Sequence, residues 1–119
     1  MKKYRSNFES VFANHLINKG LPIIYEEDNI KYIIPSSNHI YKPDFKIGND
    51  IYIETKGIFS SNDRKKMIMV IQQHPKLRFI MVFQNWNLPI NKGSKTTYKS
   101  WCLKNDIECY NKVLPADFK

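Results

Sequence analysis

Pro43-Asp44 is followed, after nine intervening residues, by Glu54-Thr55-Lys56. Two carboxylates and an ammonium are the side chains that metal-assisted hydrolysis of a phosphodiester requires. Hard carboxylate oxygens hold Mg²⁺, which keeps several of its waters. A bound water with a lowered pKa supplies the nucleophile. A lysine beside it orients that water and stabilises charge developing on the phosphate. As a bare string the pattern arises often by chance, and it then describes an exposed hairpin with incidental charges. Its setting is more selective. Strand residues alternate faces, so in a hairpin over 42–56 Phe45, Ile47, Ile51 and Ile53 share one side. Lys42, Asp44, Lys46, Tyr52, Glu54 and Lys56 share the other. With Gly48-Asn49-Asp50 as the turn, Ile47 faces Ile51, Phe45 faces Ile53 and Asp44 faces Glu54. Their Cβ atoms are then roughly 5 Å apart, where like charges destabilise a sheet. A two-residue Gly48-Asn49 turn also suits the residue types, but it pairs Asp44 with Ile53 and puts the acids on opposite faces. The register therefore decides whether these residues form a site.

Glu9 is the third acid. Ser6-Asn7-Phe8-Glu9 has the form of a capping box, in which Glu9 satisfies a backbone N–H, and locally this is the simpler reading. Glu9 also lies at the edge of the first helix's apolar stripe. If that helix packs on the hairpin's polar face, Glu9 becomes a ligand for a second cation. Arg64-Lys65-Lys66 falls in the first turn of the second helix, where cations oppose the helix dipole. Contact with phosphate accounts for them, helped by the free N–H groups of the helix N-terminus; a solvated charged face is the alternative. Asn38 and His39 precede the hairpin within reach of DNA or water, although a lone histidine is more often structural. Lys92 to Lys95 is a further basic segment with a weak signal.

These residues need a frame. Ser6 to Asn18 reads as an amphipathic helix, with Phe8, Val11, Phe12, His15 and Leu16 at helical spacing and Gly20 closing it. Residues 22–27 and 30–34 read as short strands, and Pro35-Ser36-Ser37-Asn38 interrupts them. Ser60 to Asp63 offers N-caps for a helix through Gln73, with Met67, Ile68 and Ile71 inward and His74-Pro75 ending it. Leu77 to Phe83 is apolar enough for a central strand covered on both faces. A loop over 85–95 leads to a helix capped by Thr96 or Thr97 and running to about Asn105, with Tyr98, Trp101 and Cys102 inward. Residues 107–110 suit an edge strand. The order predicts an α/β (α+β) fold, a mixed sheet flanked by helices. At 119 residues, 42% hydrophobic, the chain suits one globular domain. Its 19 Lys and Arg against 11 Asp and Glu, net +8, suit a polyanionic partner. Cys102 and Cys109 match no metal-ligand spacing and read as free thiols. The sequence predicts neither a signal peptide nor a membrane span, as expected of a soluble intracellular protein.

Taken together, the residues resemble phage endonuclease I, the junction-resolving deoxyribonuclease family of T-odd bacteriophages. The resemblance is carried by Tyr4-Arg5-Ser6 with Phe8-Glu9, Ile34-Pro35-Ser36-Ser37-Asn38-His39, Tyr41-Lys42-Pro43-Asp44-Phe45 and Glu54-Thr55-Lys56-Gly57. Asp63-Arg64-Lys65-Lys66, Gln73-His74-Pro75, Lys92-Gly93-Ser94 and Leu114-Pro115-Ala116 add to it, so that it runs from about Tyr4 to Phe118. It implies a restriction-endonuclease-like fold and Mg²⁺-dependent cleavage of four-way (Holliday) and other branched DNA in the infected bacterial cytoplasm, with Mn²⁺ able to substitute. It assigns Glu9, Asp44, Glu54 and Lys56 to catalysis. One metal falls to Asp44, Glu54 and the Thr55 carbonyl, and a second to Glu9 and Asp44. Lys42, Arg64, Lys65, Lys66, Asn38 and His39 are the candidate DNA contacts. The resemblance further implies a domain-swapped homodimer bridged by about 33–41, with each site taking Glu9 from one chain and Asp44, Glu54 and Lys56 from the other. A sequence- or mismatch-directed nuclease of the same fold and a non-catalytic binder of branched DNA are the competing readings.

Overall fold

The computed structural model describes residues 4–34 and 37–119, and these form three helices and seven strands. In order they are α1 (Asn7–Asn18), β1 (Ile23–Tyr25), β2 (Ile30–Ile34), β3 (Ser37–Tyr41), β4 (Phe45–Ile47), β5 (Ile51–Lys56), α2 (Ser61–Gln73), β6 (Arg78–Phe83), α3 (Tyr98–Lys104) and β7 (Glu108–Asn111). The main sheet runs β1-β4-β5-β6-β7, and β2 and β3 form a separate antiparallel pair. β1, β4 and β5 meander antiparallel, whereas β5, β6 and β7 are mutually parallel. This is the mixed α/β architecture the sequence predicts.

Period-two alternation divides the core between the two faces of the sheet. Phe45, Ile47, Ile53, Ile80 and Val82 turn to one face, where Phe12, Ala13 and Leu16 of α1 cover them. Tyr52, Phe79, Met81 and Phe83 turn to the other, beneath Met67 and Val70 of α2, Tyr98 and Cys102 of α3, and Tyr32 and Tyr41 of the β2–β3 pair. β6 contributes to both, which is why its sequence reads as a continuous apolar run. Each large side chain buried this way is worth about 1.5–3 kcal/mol.

The register that decides the chemistry is the three-residue one: Ile47 pairs with Ile51 and Phe45 with Ile53. Gly48 opens the turn at φ +63°, a left-handed conformation that glycine adopts without a Cβ clash.

Three local expectations change. In α1 the inward face is Glu9, Phe12, Ala13 and Leu16, an i, i+3, i+4, i+7 stripe. Val11 is 58% exposed, because the helix is rotated to bring Glu9, rather than Val11, onto the sheet. In α2 the buried set is Arg64, Met67 and Val70, and Ile68 and Ile71 are only half-buried. Ser37 and Asn38, expected to interrupt the strands, belong to β3, whose backbone finds its partners in β2 (Ile34 with Ser37, Ile33 with Asn38). The expectation for Pro35 itself lies outside the described residues. On the outer side of β2, the Gln73 side-chain amide accepts from Ile33 N at 2.7 Å and donates to Ile33 O at 2.8 Å. His74 Nε2 also meets the Lys31 carbonyl.

Candidate active site

At the mouth of the β4–β5 hairpin the chain enters β4 through Asp44, whose backbone carbonyl accepts from Glu26 N at 3.0 Å. Asp44 Oδ2 accepts two hydrogen bonds of 2.9 Å, from the backbone N–H and the hydroxyl of Thr55. Thr55 thus acts from β5 to fix the aspartate one rung beyond the last β4–β5 pair. Asp44 is 8% exposed and Glu54 6%, so the carboxylates the hairpin argument brings together are both in low-dielectric surroundings. Burial, with the Glu54 and Glu9 charges adding to it, pushes the Asp44 carboxyl up to about 7 against the opposing Thr55 bonds.

Glu9 reaches Asp44 from α1, which covers the Phe45–Ile53 face rather than the hairpin's polar face on which the sequence reading made its role as a ligand depend. Its role at the helix start is half of a capping box: Glu9 N donates to Ser6 Oγ at 3.1 Å. Its carboxylate does not return the bond to Ser6. Oε1 instead accepts from Arg5 N at 2.9 Å and from the Tyr25 hydroxyl at the end of β1. Glu9, Glu26 and Asp44 each present a carboxylate oxygen within 4.8 Å of the others. Glu26 is the member that sequence reasoning missed. It sits in the left-handed region (φ +48°) just past β1, and no local signal could reveal it because the β1–β4 pairing that places it is long-range. The Arg5 guanidinium approaches Glu26 Oε2 at 2.9 Å, yet this buried oxygen has no hydrogen bond of proper geometry. Three crowded acids, one of them with its pKa displaced upward, form a donor set that fits a divalent cation.

Glu54 lies outside that cluster and has its own holders. The Tyr41 hydroxyl donates to Oε1 at 2.6 Å, and Lys56 Nζ lies 3.5 Å from Oε2. Burial raises the Glu54 carboxyl, against the pull of Tyr41, Lys56 and Lys66. Lys56 also reaches Asp63 Oδ1 at 3.4 Å. Although burial lowers its pKa, the charges of Glu54 and Asp63 outweigh it, and the net shift is upward. Lys56 therefore stays cationic, suited to stabilising negative charge and unsuited to taking a proton. Asp63 has a double duty, since its other oxygen accepts from Ser60 N at 3.1 Å in the capping box of α2.

The expected DNA contacts divide. Lys65, Lys66 and His39 line one cavity of about 330 Å³ with Asp63, Asn62, Tyr32 and Met69, and Lys66 Nζ stands 5.3 Å from the centroid of the Tyr41 ring. Lys42 is exposed beside Asp44 in the chain. Arg64 departs from the expectation. It is 7% exposed, and its Nη1 donates to the carbonyls of Phe59 at 2.8 Å and Ile90 at 3.2 Å. Its place in α2 explains the difference: residue 64 points inward on the Met67–Val70 stripe, whereas 65 and 66 do not. The side chain of Asn38 lies outside the described residues. Thr55, expected among the metal ligands, lines a second cavity of about 330 Å³ with Glu9, Gly57 and Gln84.

The family model described as phage endonuclease I matches residues 1–119. Endonuclease I of Escherichia phage T7 is 41% identical over 115 residues, covering 97% of this chain and 77% of that protein. Endodeoxyribonuclease 1 of Enterobacteria phage T3 is 41% identical over the same length, covering 97% and 76%.

Proposed function

The chain belongs to the phage endonuclease I family, and from that premise we propose that it is a metal-dependent endodeoxyribonuclease that hydrolyses phosphodiesters in four-way and other branched DNA. The observation that carries this reading is the gathering of Glu9 and Asp44, from a helix and a hairpin far apart in sequence, with Asp44 in electrostatic reach of a lysine held cationic by Glu54 and Asp63. Asp44, Glu54 and Glu9 would hold Mg²⁺ or Mn²⁺, with the Thr55 carbonyl contributing, in two ions per site. Such ions supply an activated water and neutralise charge on the phosphate. Lys56 adds a fixed positive charge where the pentacovalent phosphate becomes more negative. Lys65, Lys66, His39 and Lys42 receive neighbouring phosphates. These contacts position the DNA without reading its bases, so selectivity follows the backbone geometry of the branch.

The working unit in this reading is a homodimer whose chains cross between the halves at about 33–41, so that Glu9 of one chain completes the site of the other. Support comes from the separateness of the β2–β3 pair, which among the described residues forms no rung with the main sheet. Within one chain Glu9 already meets Asp44, and exchange would reproduce the same contacts between two chains.

The test is cleavage of a four-way junction and of linear duplex in Mg²⁺, with junction binding measured separately in EDTA. Asp44→Ala and Glu54→Ala should each lose at least about a hundredfold in rate, as expected when several kcal/mol of metal assistance is removed, while still binding the junction. Undiminished cutting by either variant would refute the assignment. Equal cutting of linear DNA would favour a nuclease directed by sequence or mismatch, and binding without any cutting would favour a binding module.

A further inference from the structure

Each of the two glutamates flanking Asp44 has a tyrosine hydroxyl on its Oε1. Tyr41, 2% exposed at the end of β3, donates to Glu54 at 2.6 Å. Tyr25, 7% exposed at the end of β1, donates to Glu9 while its own oxygen accepts from Arg5 N at 3.1 Å. Neither tyrosine belongs to the acid-and-lysine constellation, and the two stand on opposite faces of the sheet. A carboxylate turns freely about its last bond unless something holds it. A buried donor on one oxygen removes that freedom and directs the other oxygen elsewhere. For Glu54 the second oxygen has, among the described residues, the longer 3.5 Å contact with Lys56, which that lysine divides with Asp63. For Glu9 both partners fall on Oε1.

We propose that Tyr41 and Tyr25 are positioning residues for the metal site, each fixing one glutamate so that its Oε2 is presented to the cation. The proposal rests on the metal reading given above. The rings are anchored independently of the hydroxyls: Tyr25 packs at 5.3 Å from Phe45 and 4.6 Å from Tyr4, and Tyr41 at 6.5 Å from Phe79. Phenylalanine at either position therefore removes the donor and keeps the packing. Tyr52→Phe supplies the control, since its hydroxyl donates at 2.9 Å to Asp28, which belongs to neither acid group, from an equally buried ring.

Calorimetric titration of Mn²⁺ into the DNA-free protein reads the effect directly, with thermal melting in EDTA beside it. Loss of an outer hydrogen bond to a ligand typically costs 10–100-fold in metal affinity. Tyr41→Phe and Tyr25→Phe should each weaken Mn²⁺ binding about tenfold, with a melting temperature no lower than that of Tyr52→Phe. Cleavage should recover when Mn²⁺ is raised to saturation. Unchanged Mn²⁺ affinity in both variants overturns the proposal, as does an equal loss in Tyr52→Phe or a loss that follows a drop in melting temperature. Wild-type protein that takes up no Mn²⁺ overturns the metal reading itself, and the wild-type titration shows this before any variant is compared.

Discussion

With its carboxyl pushed up to about 7 by burial and by the charges of Glu54 and Glu9, Asp44 links stability to pH in the metal-free protein. The folded state keeps the proton up to that value, whereas an unfolded chain releases it near 3.8. Between the two the native state binds more protons, so this residue's contribution to stability falls as pH rises through the window. His15, lowered mainly by burial and then by Lys19, acts in the opposite direction near neutrality, so the comparison must be made against a variant. In urea unfolding with EDTA, Asp44→Asn should gain on wild type between pH 5 and pH 8 by on the order of 2–3 kcal/mol. Parallel pH trends in the two proteins would show that Asp44 is an ordinary acid. Sequence alone made Asp44, Glu54 and Lys56 legible, because alternation and a turn length suffice to place them. It also left Glu9 divided between cap and ligand, and the structure shows why: the amide does the capping while the carboxylate is directed to Tyr25. Glu26 was illegible because its position depends on β1 finding β4.

Among the elements, α2 has two jobs that its sequence runs together. Arg64 ties the helix to the loops at Phe59 and Ile90, whereas Lys65 is exposed on the side where His39 and Lys66 lie. Arg64→Leu should lower stability by about 2–3 kcal/mol, the cost of leaving buried carbonyls without donors, and leave the salt dependence of junction binding as it was. Lys65→Ala should do the reverse, with wild-type melting and a slope of log affinity against log salt reduced by about one. A charge run reads the same whether its first member is solvated or buried, and only the phase of the helix separates them. The β4–β5 hairpin, in contrast, was readable as an element, and of the two registers its turn residues allow, the three-residue one is the register formed. β3 was hidden by its own composition: Ser37 and Asn38 have weak strand preference, and pairing with β2 overrides it.

At the scale of the molecule, the mixed sheet and its covering helices follow from strong periodic signals, and β6 at the centre is the plainest of them. The two-stranded β2–β3 sheet is less expected, because a pair this short gains its stability from what it packs on. A crossing of the chains between halves at about 33–41 can be tested by complementation. Glu9→Ala and Asp44→Ala chains, each inactive alone, should on co-refolding yield heterodimers with one intact site and nick a cruciform plasmid. Verified heterodimers without nicking would place Glu9 and Asp44 in the same chain's site, as they stand within a single chain here.

Gln73 reaches from the last turn of α2 to the outer side of β2 and holds both backbone groups of Ile33. Its amide carries the same donor and acceptor as a peptide unit, so it completes the rung a further strand would have made. An uncovered rung is a template on which a passing chain can extend the sheet. Exposed Ile33 and Ile40 beside it would give such an addition an apolar surface to spread on. Two consecutive side chains, Gln73 on Ile33 and His74 on the Lys31 carbonyl, therefore occupy the backbone groups on which this small sheet could otherwise grow.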